Sequence, residues 1–245
     1  MLAKPAAQRV ALLAAALVLL ATSGCAVWRL GQSAELVKRS EPLAQRPANP
    51  TLRLLIVGDS TGVGTGASTP GQSLAGLIAQ RHPTWMIENR ARDGAKFADL
   101  PGQLAGEQVF DIVLIQAGAN DVIRLTSMTA LAHTIDQVAA AAHQHAAQLV
   151  LMPAGNVGNA PFFFAPVSWW MTQRSRVLHQ LIADTARRNG AVYVSLFKER
   201  ANDPFVLQPA LNASDGLHPS DAGYRVWFDE LLKQASVFQA ELAAP

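Results

Sequence analysis

The chain has 245 residues, 50% apolar and 16% charged, a balance that excludes intrinsic disorder, collagen and low-complexity architectures. Six of the 20 basic residues but only two of the 18 acidic ones precede Thr51, so residues 51–245 carry a net charge of −2 and no basic excess for nucleic acid. The single cysteine, Cys25, excludes an intramolecular disulfide, Cys-based zinc sites and iron–sulfur clusters.

Lys4 and Arg9 precede an uncharged run from Val10 to Trp28, with Thr22-Ser23-Gly24-Cys25 inside it. Three readings are favoured for residues 1–28 over a fourth, a buried N-terminal helix of a cytosolic protein. Ser23-Gly24-Cys25 resembles the end of a bacterial lipoprotein signal, although Thr22 stands where that pattern usually has an aliphatic residue. The 19 uncharged residues Val10–Trp28 are long enough for an uncleaved membrane anchor, with Trp28 and Arg29 at its interface. The third reading is a cleaved secretory signal. All three place the remaining chain outside the cytoplasm, membrane-attached or periplasmic. Residues 29–50 are polar, carry Pro42, Pro47 and Pro50, and read as a linker to a single domain over 51–245.

From Thr51 onward short apolar runs alternate with helical periodicity. Arg53–Val57 is a buried strand ending at Gly58, and 71–82 a helix closed by Pro83. Trp85–Glu88 is a second strand; 97–106 is a helix broken by Pro101 and Gly102. Asp111–Gln116 is a third strand, almost wholly apolar and therefore covered on both faces. Residues 127–147 form an Ala-rich helix capped by Ser127, and Leu149–Met152 a fourth strand stopped by Pro153. Residues 168–189 are helical up to Gly190, Ala191–Leu196 is a fifth strand, and Pro219 opens a last helix reaching Leu242. This alternation predicts an α/β domain with a five-stranded parallel sheet between two helical layers.

Reactive residue types collect where strands end, the edge at which such sheets bind ligands. The first strand runs into Gly58-Asp59-Ser60-Thr61-Gly62, the second into Asn89-Arg90-Ala91-Arg92-Asp93-Gly94, the third into Gly118-Ala119-Asn120-Asp121. After the fifth comes Asp215-Gly216-Leu217-His218-Pro219. A serine at this edge is a nucleophile if a histidine takes its proton and a carboxylate orients that histidine, and the three-residue spacing of Asp215 and His218 permits that pair. The Ser60 N–H, the Gly94 N–H and the Asn120 side-chain amide can together form an oxyanion hole. Each residue also has a structural alternative: Ser60 as a helix cap, Gly94 as a turn, His218 as a mere partner of Asp215. What favours chemistry is their coincidence at one edge. His143 and His145, two apart on a predicted helix, point to different faces and read as solvated histidines, and no metal or cofactor is implied.

Four blocks in order across residues 54–219 resemble the SGNH hydrolases, the superfamily that includes the GDSL esterases and lipases. They are Gly58-Asp59-Ser60, with Thr61 for the common Leu; Asn89 and Gly94; Gly118-x-Asn120-Asp121; and Asp215-x-x-His218-Pro219. In the second block Ala95-Lys96 stands where the family often has Asp-Thr. The resemblance implies a three-layer, flavodoxin-like α/β/α fold, a Ser60–His218–Asp215 triad, and Ser60, Gly94 and Asn120 as oxyanion donors. Gly58-x-Ser60-x-Gly62 also fits the elbow of α/β-hydrolases, but a serine after the first strand argues against that fold.

Residues 154–170 leave the fourth strand at the same edge as a long apolar loop. Phe162, Phe163, Phe164, Trp169 and Trp170 either line an acyl pocket or pack on the following helix as ordinary core; contact with a membrane surface is a third, less favoured reading. The expected activity is hydrolysis of small-molecule, lipid or glycan carboxylic esters through an acyl-enzyme. The alternatives are acyl transfer or O-acetyl removal on envelope glycans, and a non-catalytic binding module, which would need a broken triad.

Overall fold

The computed structural model describes Gly24 and residues 28–239. Apart from Gly24 and Trp28, the expected signal or anchor segment, Cys25 included, lies outside the described residues. Five parallel strands, β1 (Leu52–Gly58), β2 (Trp85–Asn89), β3 (Phe110–Gln116), β4 (Ala146–Leu151) and β5 (Val192–Tyr193), form one sheet in the order β2-β1-β3-β4-β5. The helices are α1 (residues 28–39), α2 (Ser60–Val63), α3 (Leu74–Arg81), α4 (Leu100–Leu104), α5 (Ala119–Ile123), α6 (Met128–His143), α7 (Val167–Asn189), α8 (Pro204–Leu207) and α9 (Asp221–Gln234).

The near-continuous apolar strands are explained by two cores, one on each face. Leu55 and Val57 of β1, Val113 and Ile115 of β3, and Leu149 and Leu151 of β4 pack with Leu100 of α4, Ile135 of α6 and Leu178 of α7. The alternate residues, Leu54, Ile56, Ile112, Leu114 and Val150, pack with Ile78 of α3 and Tyr224, Trp227 and Leu231 of α9. A side-chain period of two thus feeds both layers from every strand. Each such fully buried aliphatic side chain contributes about 1.5–3 kcal/mol over an exposed one. The chain leaves β1 for β2 on one side and returns to β3 on the other, so the strand order reverses between β1 and β3. That is the crevice where this topology binds ligands.

The element bounds differ from expectation at identifiable points. The helix expected over 71–82 starts at Leu74, because the Ser73 hydroxyl accepts the Gly76 N–H as its cap; Pro70–Gln72 is a separate 3₁₀ turn. Pro101 does not break its helix but sits in the first turn of α4, after a 3₁₀ turn over Phe97–Asp99. α6 ends at His143, since β4 already begins at Ala146. β5 is only two residues long: the Ser195 N–H and carbonyl are taken by the Gln234 side chain, which ends the ladder. The last helix begins at Asp221 with Ser220 as its cap, and Pro219 lies ahead of it in an isolated bridge to Asn212.

Residues 29–50 also adopt defined structure. After α1 the chain runs along the outer edge of β2, where Gln45 and Ile87 exchange two backbone hydrogen bonds of 2.9 Å. The Gln45 side chain donates to the carbonyls of His82 and Trp85. The segment covers part of an otherwise open sheet edge.

Candidate active site

Ser60 is delivered by a tight strand-to-helix turn. β1 ends at Gly58, whose φ of 154° and missing Cβ let the backbone lie against the Gln116 carbonyl of β3; any side chain there would collide with it. The Gln103 amide bonds both the Gly58 N–H and the Gly58 carbonyl, at 2.7 and 2.9 Å. Asp59 then caps α2: the N–H and hydroxyl of Thr61 both donate to its Oδ1 at 2.9 and 2.8 Å. Ser60 is the first residue of α2. Asp59 is fully buried, its Oδ2 has no partner among the described residues, and burial pushes its pKa up to about 6.

Asp215 and His218 come from the loop before α9. Asp215 Oδ1 accepts the N–H groups of Leu217 and His218, closing the loop on itself. Its Oδ2 lies 2.6 Å from His218 Nδ1, and His218 Nε2 lies 2.9 Å from Ser60 Oγ. Burial alone pushes the Asp215 carboxyl up. The His218 hydrogen bond and charge and the two N–H donors outweigh it and hold the group below the usual carboxylate value. A seam joins this loop to the one after Ser60. The Tyr224 hydroxyl donates to the Thr65 carbonyl at 2.8 Å, and the Ser68 N–H and hydroxyl donate to Asp221 at 2.7 Å each. Gly66, at φ 98°, fits between them; a Cβ would strike the Pro219 carbonyl and press on His218 Cβ.

Gly94 and Asn120 reach the same place from β2 and β3. Among the described residues no protein acceptor takes the N–H of Ser60 or Gly94. Asn120 gives one amide hydrogen to the Ala95 carbonyl at 3.1 Å, which steadies the side chain and leaves the other hydrogen unused. Asp121, raised by burial, accepts the Phe97 N–H and ties α5 to the Gly94 loop. Asn89 has a role that sequence reasoning left unassigned: its amide donates to the Gly62 carbonyl and accepts the Ala91 N–H, stitching the β2 loop to α2. Among the described residues no three His, Cys, Asp or Glu side chains are grouped as metal ligands.

Ser60, Gly94, Asn120 and His218 all line one cleft of about 380 Å³. Phe162 and Phe163, with Ile123 and Leu217, supply apolar wall. Phe164 and Trp169 are not among its walls. With Phe163 they line an adjoining depression, and both stand at least half exposed, as does Trp170. Two groups of wall residues had escaped the sequence reading. Asn156, Asn159 and Asp203 line the cleft, the last two joined by a 2.7 Å hydrogen bond. Leu30, Ser33 and Val37, one face of α1, also line it. Their spacing of three and four was the available signal, masked by the polar, Pro-bearing stretch around it.

A sequence model of the GDSL-like Lipase/Acylhydrolase family matches residues 56–226, while no curated protein matches significantly. Solved structures share the fold. LAE5, an alpha/beta hydrolase enzyme from the metagenome of Lake Arreo, aligns at TM-score 0.59 with 22% identity over 78% of this chain and 98% of its own. Axe2, an acetylxylan esterase from Geobacillus stearothermophilus, gives 0.55 and 21% over 76% and 94%. An extracellular lipase from Streptomyces rimosus gives 0.60 and 18% over 76% and 100%. Strand order, the four strand-end blocks and the family match over most of the chain agree: the protein belongs to the GDSL-like Lipase/Acylhydrolase family, whose members hydrolyse ester bonds.

Proposed function

We propose that the protein is a serine esterase in which Ser60 is the nucleophile, His218 the general acid–base and Asp215 its orienter. The observation that carries this reading is the unbroken hydrogen-bonded line Ser60–His218–Asp215 opening into an apolar cleft. With its Nδ1–H donating to Asp215, His218 presents Nε2 as the acceptor for the Ser60 hydroxyl. Ser60 Oγ adds to the ester carbonyl as its proton passes to His218. The carbonyl oxygen gathers negative charge facing the Ser60 and Gly94 N–H groups and the free Asn120 hydrogen. Collapse expels the alcohol, which leaves with the proton from His218. Water, deprotonated by His218, then releases the acid from the acyl-serine.

Phe162, Phe163, Ile123 and Leu217 favour an aliphatic acyl group over a bare acetyl. The uncharged run Val10–Trp28 supports a domain held at a membrane outside the cytoplasm. The test is a fluorophosphonate probe on the full chain together with p-nitrophenyl esters of increasing acyl length. Labelling and turnover should both vanish in Ser60→Ala, and equal labelling of the two proteins would refute the assignment.

A further inference from the structure

The rim of the cleft is unusually apolar and open to solvent. Trp169 is 68% exposed and Trp170 52%, beside Phe164 at 50% and Val167 at 46%. Across the mouth, α1 presents Trp28 and Leu30, each 58% exposed. The two sides touch, since the Arg29 guanidinium lies 5.1 Å above the Phe164 ring. Phe163 and Asn159 line both the cleft and the depression under Phe164 and Trp169, so the patch continues into the acyl site. Scattered exposed apolar side chains are ordinary, but Phe164, Trp169 and Trp170 within seven residues, bridged through Arg29 to the helix that carries Trp28, mark a surface that meets something apolar.

The way the chain enters the domain identifies that partner. The 19 uncharged residues Val10–Trp28 end on this rim, and Leu30, two residues on, lines the cleft. A lipid-embedded run ending at Trp28 therefore brings the mouth to within about 10 Å of the hydrocarbon boundary, given the reach of roughly 3.5 Å per residue. Tryptophans are the side chains that favour that boundary. We propose that the cleft mouth rests on a phospholipid bilayer, with Trp169, Trp170 and Phe164 in the interface. The enzyme then takes single-chain amphiphilic esters from the lipid, acyl chain first. The activity part of this inference rests on the serine-esterase reading; the docking part does not.

The full chain is reconstituted with phosphatidylcholine vesicles carrying brominated acyl chains, and tryptophan emission is recorded. Trp85 and Trp227 are buried, so quenching reports Trp28, Trp169 and Trp170. The expected result is strong quenching that persists in Trp28→Phe. If Trp28→Phe abolishes quenching, only the N-terminal segment enters the lipid and the domain stands off. If no quenching occurs, or the patch is covered by a second copy, the bilayer is not its partner. In the activity arm, Trp169→Gln/Trp170→Gln should lower hydrolysis of lysophosphatidylcholine in vesicles at least tenfold. It should leave a soluble p-nitrophenyl butyrate within twofold, with an unchanged thermal midpoint. Equal loss on both substrates overturns the proposal. Failure of the esterase reading looks different: no turnover of either ester and no fluorophosphonate labelling, whatever the quenching shows.

Discussion

The strand-end loops and the aromatic rim occupy neighbouring parts of one cleft and are held by opposite means. Around Ser60 and His218 polar groups close on one another over two or three residues: Asp59 on Thr61, Asp215 on Leu217 and His218, Asn89 on Ala91. Across the mouth, α1 has no fully buried residue, and Phe164, Trp169 and Trp170 project into solvent. Short-range hydrogen bonds set reacting atoms to a fraction of an ångström, which acyl transfer demands. An apolar rim needs only area, so it tolerates looser packing. Substitutions in the first region should therefore change kcat, and those in the second KM and substrate preference.

The sharpest break of this contrast is at the proposed triad. Ser60→Ala should lower kcat by about 10⁶ and Asp215→Asn by about 10⁴ with the fold intact, the latter because His218 loses the partner that fixes its tautomer. A loss below tenfold in either, measured on a p-nitrophenyl ester, would remove these residues from the chemistry. Asn120→Ala should lower kcat by roughly 10²–10³ with little change in KM, as for one oxyanion donor; a change confined to KM would make Asn120 a binding residue instead.

The two buried acids of the first region should show opposite pH signatures. Asp59, raised from 3.8 to about 6, keeps in the folded state a proton that the unfolded chain has already released. Its contribution is greatest below pH 4 and declines as pH rises to about 6, a fall of roughly 3 kcal/mol. Asp215 is depressed, so its contribution is present above the ordinary carboxylate value and disappears as pH falls below it. The contribution of His179, pushed down to about 4 by burial, slopes the other way over this range. In urea unfolding from pH 4 to 7 wild type should therefore lose stability relative to Asp59→Asn, and parallel profiles for the two would mean that the burial of Asp59 is not felt as charge. The smallest effect is expected at the apolar cleft wall beneath the rim. Phe163→Ala should raise KM about tenfold for an octanoyl ester and leave an acetyl ester nearly unchanged. Parallel changes for both esters would show that Phe163 positions the carbonyl rather than the chain.

What was legible in the sequence divides along the same line. Strands β1 and β3 announce themselves as apolar runs because both faces are covered, and the residues that surround Ser60 are punctuated by glycines at strand ends. The Asp215–His218 pair is readable because its geometry is local. The seat of α1 against the cleft was not, since Leu30 is exposed, Val37 is only partly buried, and nothing local ties either to cleft walls that run from Ser60 to Trp227. The aromatic loop was half legible. Its sequence marks it as wall or core, yet Phe162 and Phe163 turn into the cleft whereas Phe164 and Trp169 turn out, a division made by the loop path and not by residue type. The short β5 was obscured for a similar reason: Gln234, from a distant helix, takes the hydrogen bonds that the apolar run Ala191–Leu196 would otherwise offer the sheet.

The seam between Thr65, Gly66, Ser68 and the loop before α9 has a consequence for when the chain becomes active. His218, the proposed base, follows Ser60, the proposed nucleophile, by 158 residues and comes after every strand of the sheet. A nascent chain that has emerged as far as β5 holds the whole sheet and Ser60 yet no histidine to deprotonate it. A chain cut before Asp215 lacks the proposed base and also Tyr224, Trp227 and Leu231 of α9, so one face of its sheet loses much of its cover. In refolding, esterase activity should lag behind the far-ultraviolet circular dichroism signal by the time α9 takes to dock.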